Sequence, residues 1–345
     1  MSKAKFTEGD CLDILSKYHG KRVDLVYLDP PFFLNREFRL EANRTDVAFQ
    51  GSWNDQEVYE HIRHVSKLNS TKGLDLYLSW LYERLAAIKD VMSDEASIFL
   101  HIGTREGPAV SLVLDELFGS TNWRSTITWQ RSHPHNNVTK SLGNISDYIY
   151  YYSKSDSYTF NLQYSAHDET YLNNSFNNAD EKGRYALAPI IQERARKGHF
   201  FEHKGYTPPN GWRVKKEQLE RLDLDGYIHW GENRPYKKIY LDEAKGTPLQ
   251  NIWTDVANIT RTELDRRRYP TQKPLRLLER IVLLASRPGD LVLDPFCGSG
   301  TAVLAARING REGWGIDQSP DAIRIATERS SELDSKPESL FDTRS

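Results

Sequence analysis

Apolar positions in the first part of the chain follow two rhythms. Val23 to Leu28 is a nearly unbroken apolar run and predicts a buried strand. Between Leu74 and Met92, apolar residues recur at Leu78, Leu81, Tyr82, Leu85, Ile88 and Met92, the three- and four-residue spacing of a helix. Ser97 to Ile102 predicts a second strand, and Ala109 to Phe118 a short helix closed by Gly119. Arg124 to Gln130 alternates as a strand does, and Tyr148 to Tyr152 predicts another. After a long break the order returns. A helix is expected over 275–285, a strand over 290–293, a helix over 301–308 and a strand over 311–316. Ser319-Pro320 then opens a last helix, with Ser as N-cap and Pro at the first helical position. Strands alternating with helices predict an α/β fold whose sheet is mixed but mostly parallel.

The break runs from about Ser155 to Asp265 and is rich in Asn, Gly, Pro and aromatic residues. It reads as an insertion. The expected organisation is 1–154, an insertion at 155–265, a returning segment at 266–334 and a polar tail at 335–345. With 345 residues, 38% of them hydrophobic, the chain can bury a full core as one large domain with an insertion, or as two domains. Net charge is only −2, but residues 181–280 carry 21 Lys and Arg against 14 Asp and Glu. Either that region faces a polyanion or it is a solvated basic surface.

Two cysteines, Cys11 and Cys297, form no close pair, which argues against a disulfide framework or a cysteine zinc site and fits a reducing cytosol. No apolar stretch approaches the ~18 residues of a membrane span, and Met1 to Lys5 lacks the apolar segment of a signal peptide. A cytoplasmic protein is expected. His101 and His133-Pro134-His135 have poor spacing for a metal, so they read as ordinary polar loop and no metal is expected.

Two strand-to-loop junctions carry candidate chemistry. Asp294-Pro295-Phe296-Cys297-Gly298-Ser299-Gly300 follows Leu291-Val292-Leu293 and precedes a helix. Glycines there let the backbone turn sharply and approach a ligand. Asp317 ends the next strand, where an acid can accept from ribose hydroxyls. The spacing is not the dinucleotide fingerprint, because Val303 stands at the third glycine position. An acid at the turn disfavours a pyrophosphate and suits an amino group, so S-adenosylmethionine fits. Asp29-Pro30-Pro31-Phe32 follows the Val23 to Leu28 strand. It reads either as a rigid turn or as an acceptor site for the exocyclic amine of a nucleobase. In the second reading a carboxylate and a main-chain carbonyl stiffened by proline accept the N–H bonds, and the aromatic ring stacks on a flipped base. Neither Cys11 nor Cys297 has the context of a thiolate nucleophile for ring-carbon methylation.

In order, Asp29-Pro30-Pro31-Phe32, the basic insertion, Tyr269-Pro270-Thr271-Gln272-Lys273-Pro274, Asp294 to Gly300 and Asp317 resemble the beta class of amino-group DNA methyltransferases. The likeness spans roughly residues 6–330. It implies a Rossmann-like S-adenosylmethionine-dependent fold with helices on both faces and a target-recognition domain in the insertion. It implies that Asp294 lies near the methionine amino group, that Pro295, Phe296, Gly298, Gly300 and Thr301 line the cofactor, and that Thr271 and Lys273 hold its carboxylate. Glu8-Gly9-Asp10-Cys11 resembles the segment at the cofactor adenine, with Asp10 on the adenine amino group and Cys11 beside it.

Aspartate at position 29 resembles the adenine-N6 enzymes, whereas cytosine-N4 enzymes more often carry serine there. Duplex DNA is the implied partner, with Asn35, Arg36, Arg196, Lys197, Lys215, Lys216, Lys237, Lys238 and Arg267 as contacts. Trp212, Tyr227, Trp230, Tyr236 and Trp253 lie among these charges, and core packing is the expectation for each. The resemblance is compatible with a homodimer and with a separate restriction nuclease as partner. Cytosine-N4 or RNA methylation and a non-catalytic DNA-binding module are the alternatives.

Overall fold

The structure, a computed structural model, describes residues 2–33, 38–39, 47–49, 73–134, 140, 142–194, 198–258 and 272–335. These form two compact units, one of residues 1–163 with 250–345 and one of residues 164–249.

Strands of the larger unit are β1 (Ala4–Glu8), β2 (Val23–Leu28), β3 (Phe38–Arg39), β4 (Val47–Phe49), β5 (Met92–Gly103), β6 (Trp123–Gln130) and β7 (Ser146–Ser153). In the smaller unit lie β8 (Tyr164–Ser165), β9 (Asn178–Asp180), β10 (Gly183–Pro189), β11 (Ile228–Trp230), β12 (Pro235–Tyr240) and β13 (Thr247–Pro248). The chain then returns to the larger unit with β14 (Ile252–Trp253), β15 (Leu291–Asp294) and β16 (Glu312–Asp317).

The larger unit is built on an eight-stranded sheet in the order β1-β16-β15-β2-β5-β7-β6-β14. All neighbours are parallel except at β7, which runs against both β5 and β6. Tyr77, Leu78, Leu81, Leu85, Ile88 and Val91 form the buried stripe of the helix Leu74–Val91. That stripe packs with Cys11, Leu15, Val110, Val113 and Leu114 over Val26, Leu28, Ile98 and Leu100 of the sheet. Fully burying each such aliphatic side chain contributes roughly 1.5–3 kcal/mol. Helices Leu275–Ala285 and Thr301–Ile308 pack on one another, the helix Pro320–Ser335 is hydrogen-bonded to Thr301–Ile308, and all three pack on the sheet. As expected, Ser319 caps the last of them, its Oγ accepting from the Ala322 amide at 3.3 Å. Among the described residues no helix is long and apolar enough to cross a membrane.

Connections decide where the site falls. From β15 the chain crosses through Thr301–Ile308 to β16 on one side; from β2 it crosses to β5 on the other. Right-handed crossovers put those two sets of connecting helices on opposite faces. The strand order therefore switches between β15 and β2, which pair directly through Val292↔Leu25 and Leu293↔Val26. A crevice opens beyond the carboxyl ends of strands at such a point.

Residues 164–249, inside the expected 155–265 insertion, contain a four-stranded sheet, β11-β12-β10-β9, and the helix Lys216–Leu224. Their core gathers Ile190, Ile191, Trp212, Leu219 and Ile228. Short strands separated by turns explain why no long apolar period marks this region. Trp212 and Trp253 are core, as expected, while Trp230 is 37% exposed. This unit holds 14 Lys and Arg against 13 Asp and Glu. The basic excess of residues 181–280 is thus not a property of the folded insertion; most of it comes from the stretch 261–280.

Candidate active site

Five strands deliver side chains to one edge of the sheet. Asp10 follows β1, Asp317 ends β16, Asp294 ends β15, Asp29 follows β2 and His101 lies near the end of β5. Asp147 enters the same edge at the start of the reversed strand β7, because Gly103 pairs with Asp147.

The glycine loop is held from three sides. Gly300, at φ +78°, stands so close to its neighbours that a Cβ would meet the Ala326 Cβ at 2.8 Å and the Phe6 ring at 3.1 Å. The Gly298 amide donates to Asp317 Oδ2 at 2.8 Å, and the Ser319 amide donates to Asp317 Oδ1 at 2.9 Å. Arg329, buried in the last helix, donates to the Ser299 carbonyl at 2.6 Å, to Ser299 Oγ at 2.9 Å and to Thr301 Oγ1 at 3.2 Å. Thr301 therefore turns its hydroxyl toward Arg329. Asp294 accepts from the Phe296 amide at 3.1 Å. Burial pushes its pKa well above the usual carboxylate range; that one hydrogen bond offsets the shift only in part, and the Asp29 and Asp317 charges add to it. Burial raises Asp317 as well. Buried carboxylates held this close together favour a cationic ligand.

Asp10 caps the helix Cys11–Leu15, its Oδ1 accepting from the Leu12 amide at 2.8 Å. Its Oδ2 receives both the Arg84 guanidinium and Gln318 Nε2, the latter at 2.7 Å. Oδ1, with one donor, retains acceptor capacity for a further N–H such as an adenine amino group. Arg84 stacks 4.3 Å from the Trp80 ring, and Trp80 lies 5.6 Å from Phe296. Cys11 is buried, and burial together with Asp10 pushes its thiol up to about 12.

On the catalytic side, Lys273 pairs with Asp29 Oδ2 and lies 5.7 Å from the Phe32 ring centre. Asp29 Oδ1 is buried with no hydrogen-bond partner among the described residues. Phe32 lies over Gly103, where a Cβ would sit 3.6 Å from its ring, and 6.2 Å from the His101 ring.

His101 is not in a loop, as the sequence suggested, but fully buried in β5. Its Nε2 is 3.2 Å from Asp147 and its Nδ1 is 3.0 Å from the Tyr27 hydroxyl. Asp147 can only accept, so Nε2 carries the hydrogen and Tyr27 donates to Nδ1. Burial, with the Lys273 charge, lowers the His101 pKa and keeps the ring neutral. Burial alone would raise Asp147, yet its pKa is lowered by the His101 hydrogen bond and the Arg131 charge.

Sequence reading missed Arg84, Gln318, Arg329 and the His101–Asp147–Tyr27 network. One signal was present: Arg84 interrupts the apolar stripe Tyr77, Leu81, Ile88.

Four of the candidate DNA contacts, Lys215, Lys216, Lys237 and Lys238, lie among the described residues. Lys237 and Lys238 are consecutive in β12 and so face opposite sides of its sheet. Lys238 pairs with Asp180 at 2.6 Å. Lys215 precedes the helix that carries Lys216, whose ammonium lies 4.0 Å from Glu220. Asn35, Arg36, Arg196, Lys197, Arg267 and Thr271 lie outside the described residues.

Comparison with known proteins bears on the assignment. Residues 23–328 match the DNA methylase family N6_N4_Mtase. The type II methyltransferase M2.LlaDCHI of Lactococcus lactis subsp. cremoris is 39% identical over 94% of this chain and 88% of its own length. M.EcaI of Enterobacter cloacae, another type II methyltransferase, is 31% identical over 90% of this chain, which spans 65% of that relative's length. A solved structure of the PvuII DNA methyltransferase, cytosine-N4-specific, superposes with a TM-score of 0.51 at 13% identity. The overlap covers 97% of this chain and 93% of that one, and speaks for the fold alone. The chain belongs to the N6_N4_Mtase family of DNA methylases.

Proposed function

We propose that this protein transfers a methyl group from S-adenosylmethionine to the exocyclic N6 amino group of adenine in duplex DNA. The observation that carries the reading is the direct pairing of β15 with β2. It puts the Asp294–Gly300 loop beside Asp29-Pro30-Pro31-Phe32 at the switch point of the sheet. The donor set fits the cofactor. Asp294 is a buried carboxylate suited to an ammonium, and Gly298 and Gly300 offer main chain without side-chain obstruction. Asp317 is suited to ribose hydroxyls, and Phe296 and Trp80 are apolar faces for a ring.

When bound, S-adenosylmethionine supplies a methyl group already activated on a sulfonium. The chain's own residues prepare the acceptor. Asp29 Oδ1 accepts one N–H of the target amine and the Pro30 carbonyl accepts the other. The nitrogen lone pair is thereby drawn out of the ring and aimed at the methyl. Phe32 stacks on the flipped base and keeps water from its face. Holding both partners in line lowers the remaining barrier. Residues 164–249 serve target recognition, and the choice of adenine rests on aspartate at position 29. Protein-wide properties such as a nuclease partner in a restriction system belong to the same proposal.

The test incubates purified protein and labelled S-adenosylmethionine with unmethylated duplex DNA and, separately, with RNA, then identifies the nucleosides by mass spectrometry. N6-methyladenine from DNA is the expected product. N4-methylcytosine would overturn the base while keeping the mechanism, and label in RNA alone would overturn the substrate class.

A further inference from the structure

We propose that Lys273 is the positioning residue of Asp29, holding the catalytic carboxylate through one oxygen so that the other faces the target amine. This rests on the reading of Asp29 as acceptor for that amine. The resemblance assigned Lys273 to the cofactor carboxylate, but its ammonium is in contact with Asp29 Oδ2 and lies over the Phe32 ring. One side chain thus touches both ends of the catalytic loop.

The neighbouring residue faces the other loop. Gln272 is buried and its Oε1 accepts from Ser299 Oγ of the glycine loop at 3.3 Å. Gln272 and Lys273 together tie the cofactor loop to the catalytic loop, and Pro274 immediately starts the helix Leu275–Ala285, which anchors the pair.

The second observation is Asp29 Oδ1. A buried charged oxygen without a donor is costly to maintain, and groups left so in native proteins call for an explanation. Among the described residues no donor reaches it, and the donor it awaits is the substrate amine. With Oδ2 held by Lys273, Oδ1 is the oxygen left without a donor for an incoming N–H, and the ion pair keeps the carboxylate from rotating freely.

The experiment compares unaltered protein with Lys273→Met and Lys273→Arg. Cofactor Kd is read by calorimetry, and kcat for DNA methylation is read at saturating cofactor. Thermal unfolding is followed for Lys273→Met, Asp29→Asn and the double variant. Lys273→Met should lower kcat by about 100-fold, the size expected of a misplaced reacting group, and Lys273→Arg should recover part of it. The unfolding effects of Lys273→Met and Asp29→Asn should be non-additive, as for residues that touch. The proposal requires both results. A loss confined to cofactor affinity, with kcat at saturation unchanged, would overturn it, as would additive unfolding effects. Absence of methyl transfer by the unaltered protein would remove the functional reading itself. That failure is distinguishable, because the unfolding cycle would still report whether the pair forms.

Discussion

Asp294 sits buried beside the Asp29 and Asp317 charges, and burial is the main reason its proton is held tightly. An acid whose folded pKa lies above its unfolded value of about 3.9 favours folding below that pH. Its contribution is lost as the pH rises through the raised folded value. Asp294→Asn should therefore raise the Tm of the ligand-free protein by a few degrees, and by more at pH 8 than at pH 5, while weakening cofactor binding. Thermal scans at both pH values and calorimetry check this; a variant less stable at pH 8 would refute the buried-charge argument. Asp29→Ala tests the other carboxylate. It should lower methyl transfer by at least ~10²-fold, as for loss of a proton-accepting group, with cofactor Kd preserved. Cofactor binding that fails together with transfer would instead place Asp29 in the cofactor site. Both aspartates are legible in the sequence because each follows an apolar strand. The network beneath Phe32 is not, since Tyr27, His101 and Asp147 lie on three strands and nothing local pairs them.

Helices and loops at this edge act as clamps. The last helix, Pro320–Ser335, sends Arg329 back to the glycine loop and seats Ala326 against Gly300. Arg329→Gln removes hydrogen bonds from a charged donor to Ser299 and Thr301. It should cost about 3 kcal/mol, since bonds to charged groups contribute roughly 1.5–3 kcal/mol each. Urea unfolding measures that change, and an unmoved midpoint would mean the loop holds itself. The helix boundaries were largely readable: 275–285 and 301–308 agree with their periodicity, and the N-cap at Ser319 is where Ser-Pro placed it. Strand β5 begins at Met92, before the Ser97 expected, because sheet pairing with β2 extends it beyond its apolar run. The two-residue strand β14, which returns the chain to the main sheet beside β6, carries no period at all.

At the scale of the molecule, the chain divides into a large α/β unit and residues 164–249. On the proposed reading of residues 164–249 as the target-recognition unit, their near balance of charge leaves phosphate contacts to local clusters rather than to an overall basic field. Lys215→Gln with Lys216→Gln should then reduce the slope of log affinity for duplex DNA against log salt by about one for each phosphate that is no longer neutralised. Fluorescence anisotropy across a salt series reads this directly, and an unchanged slope would assign the phosphates to other side chains. The chain's own order of residues specifies the set of parts. Apolar rhythm predicts most strands and helices of the main sheet, and the acid-bearing loops and their order along the chain point to the methylase family. Which parts meet is settled only in three dimensions. Val26 and Leu293 pair across most of the chain's length, Lys273 reaches Asp29, and Arg84 joins Gln318 on Asp10. Periodicity is a local property of consecutive residues. Strand order, and the ion pairs it brings together, depend on crossovers whose register no short stretch encodes.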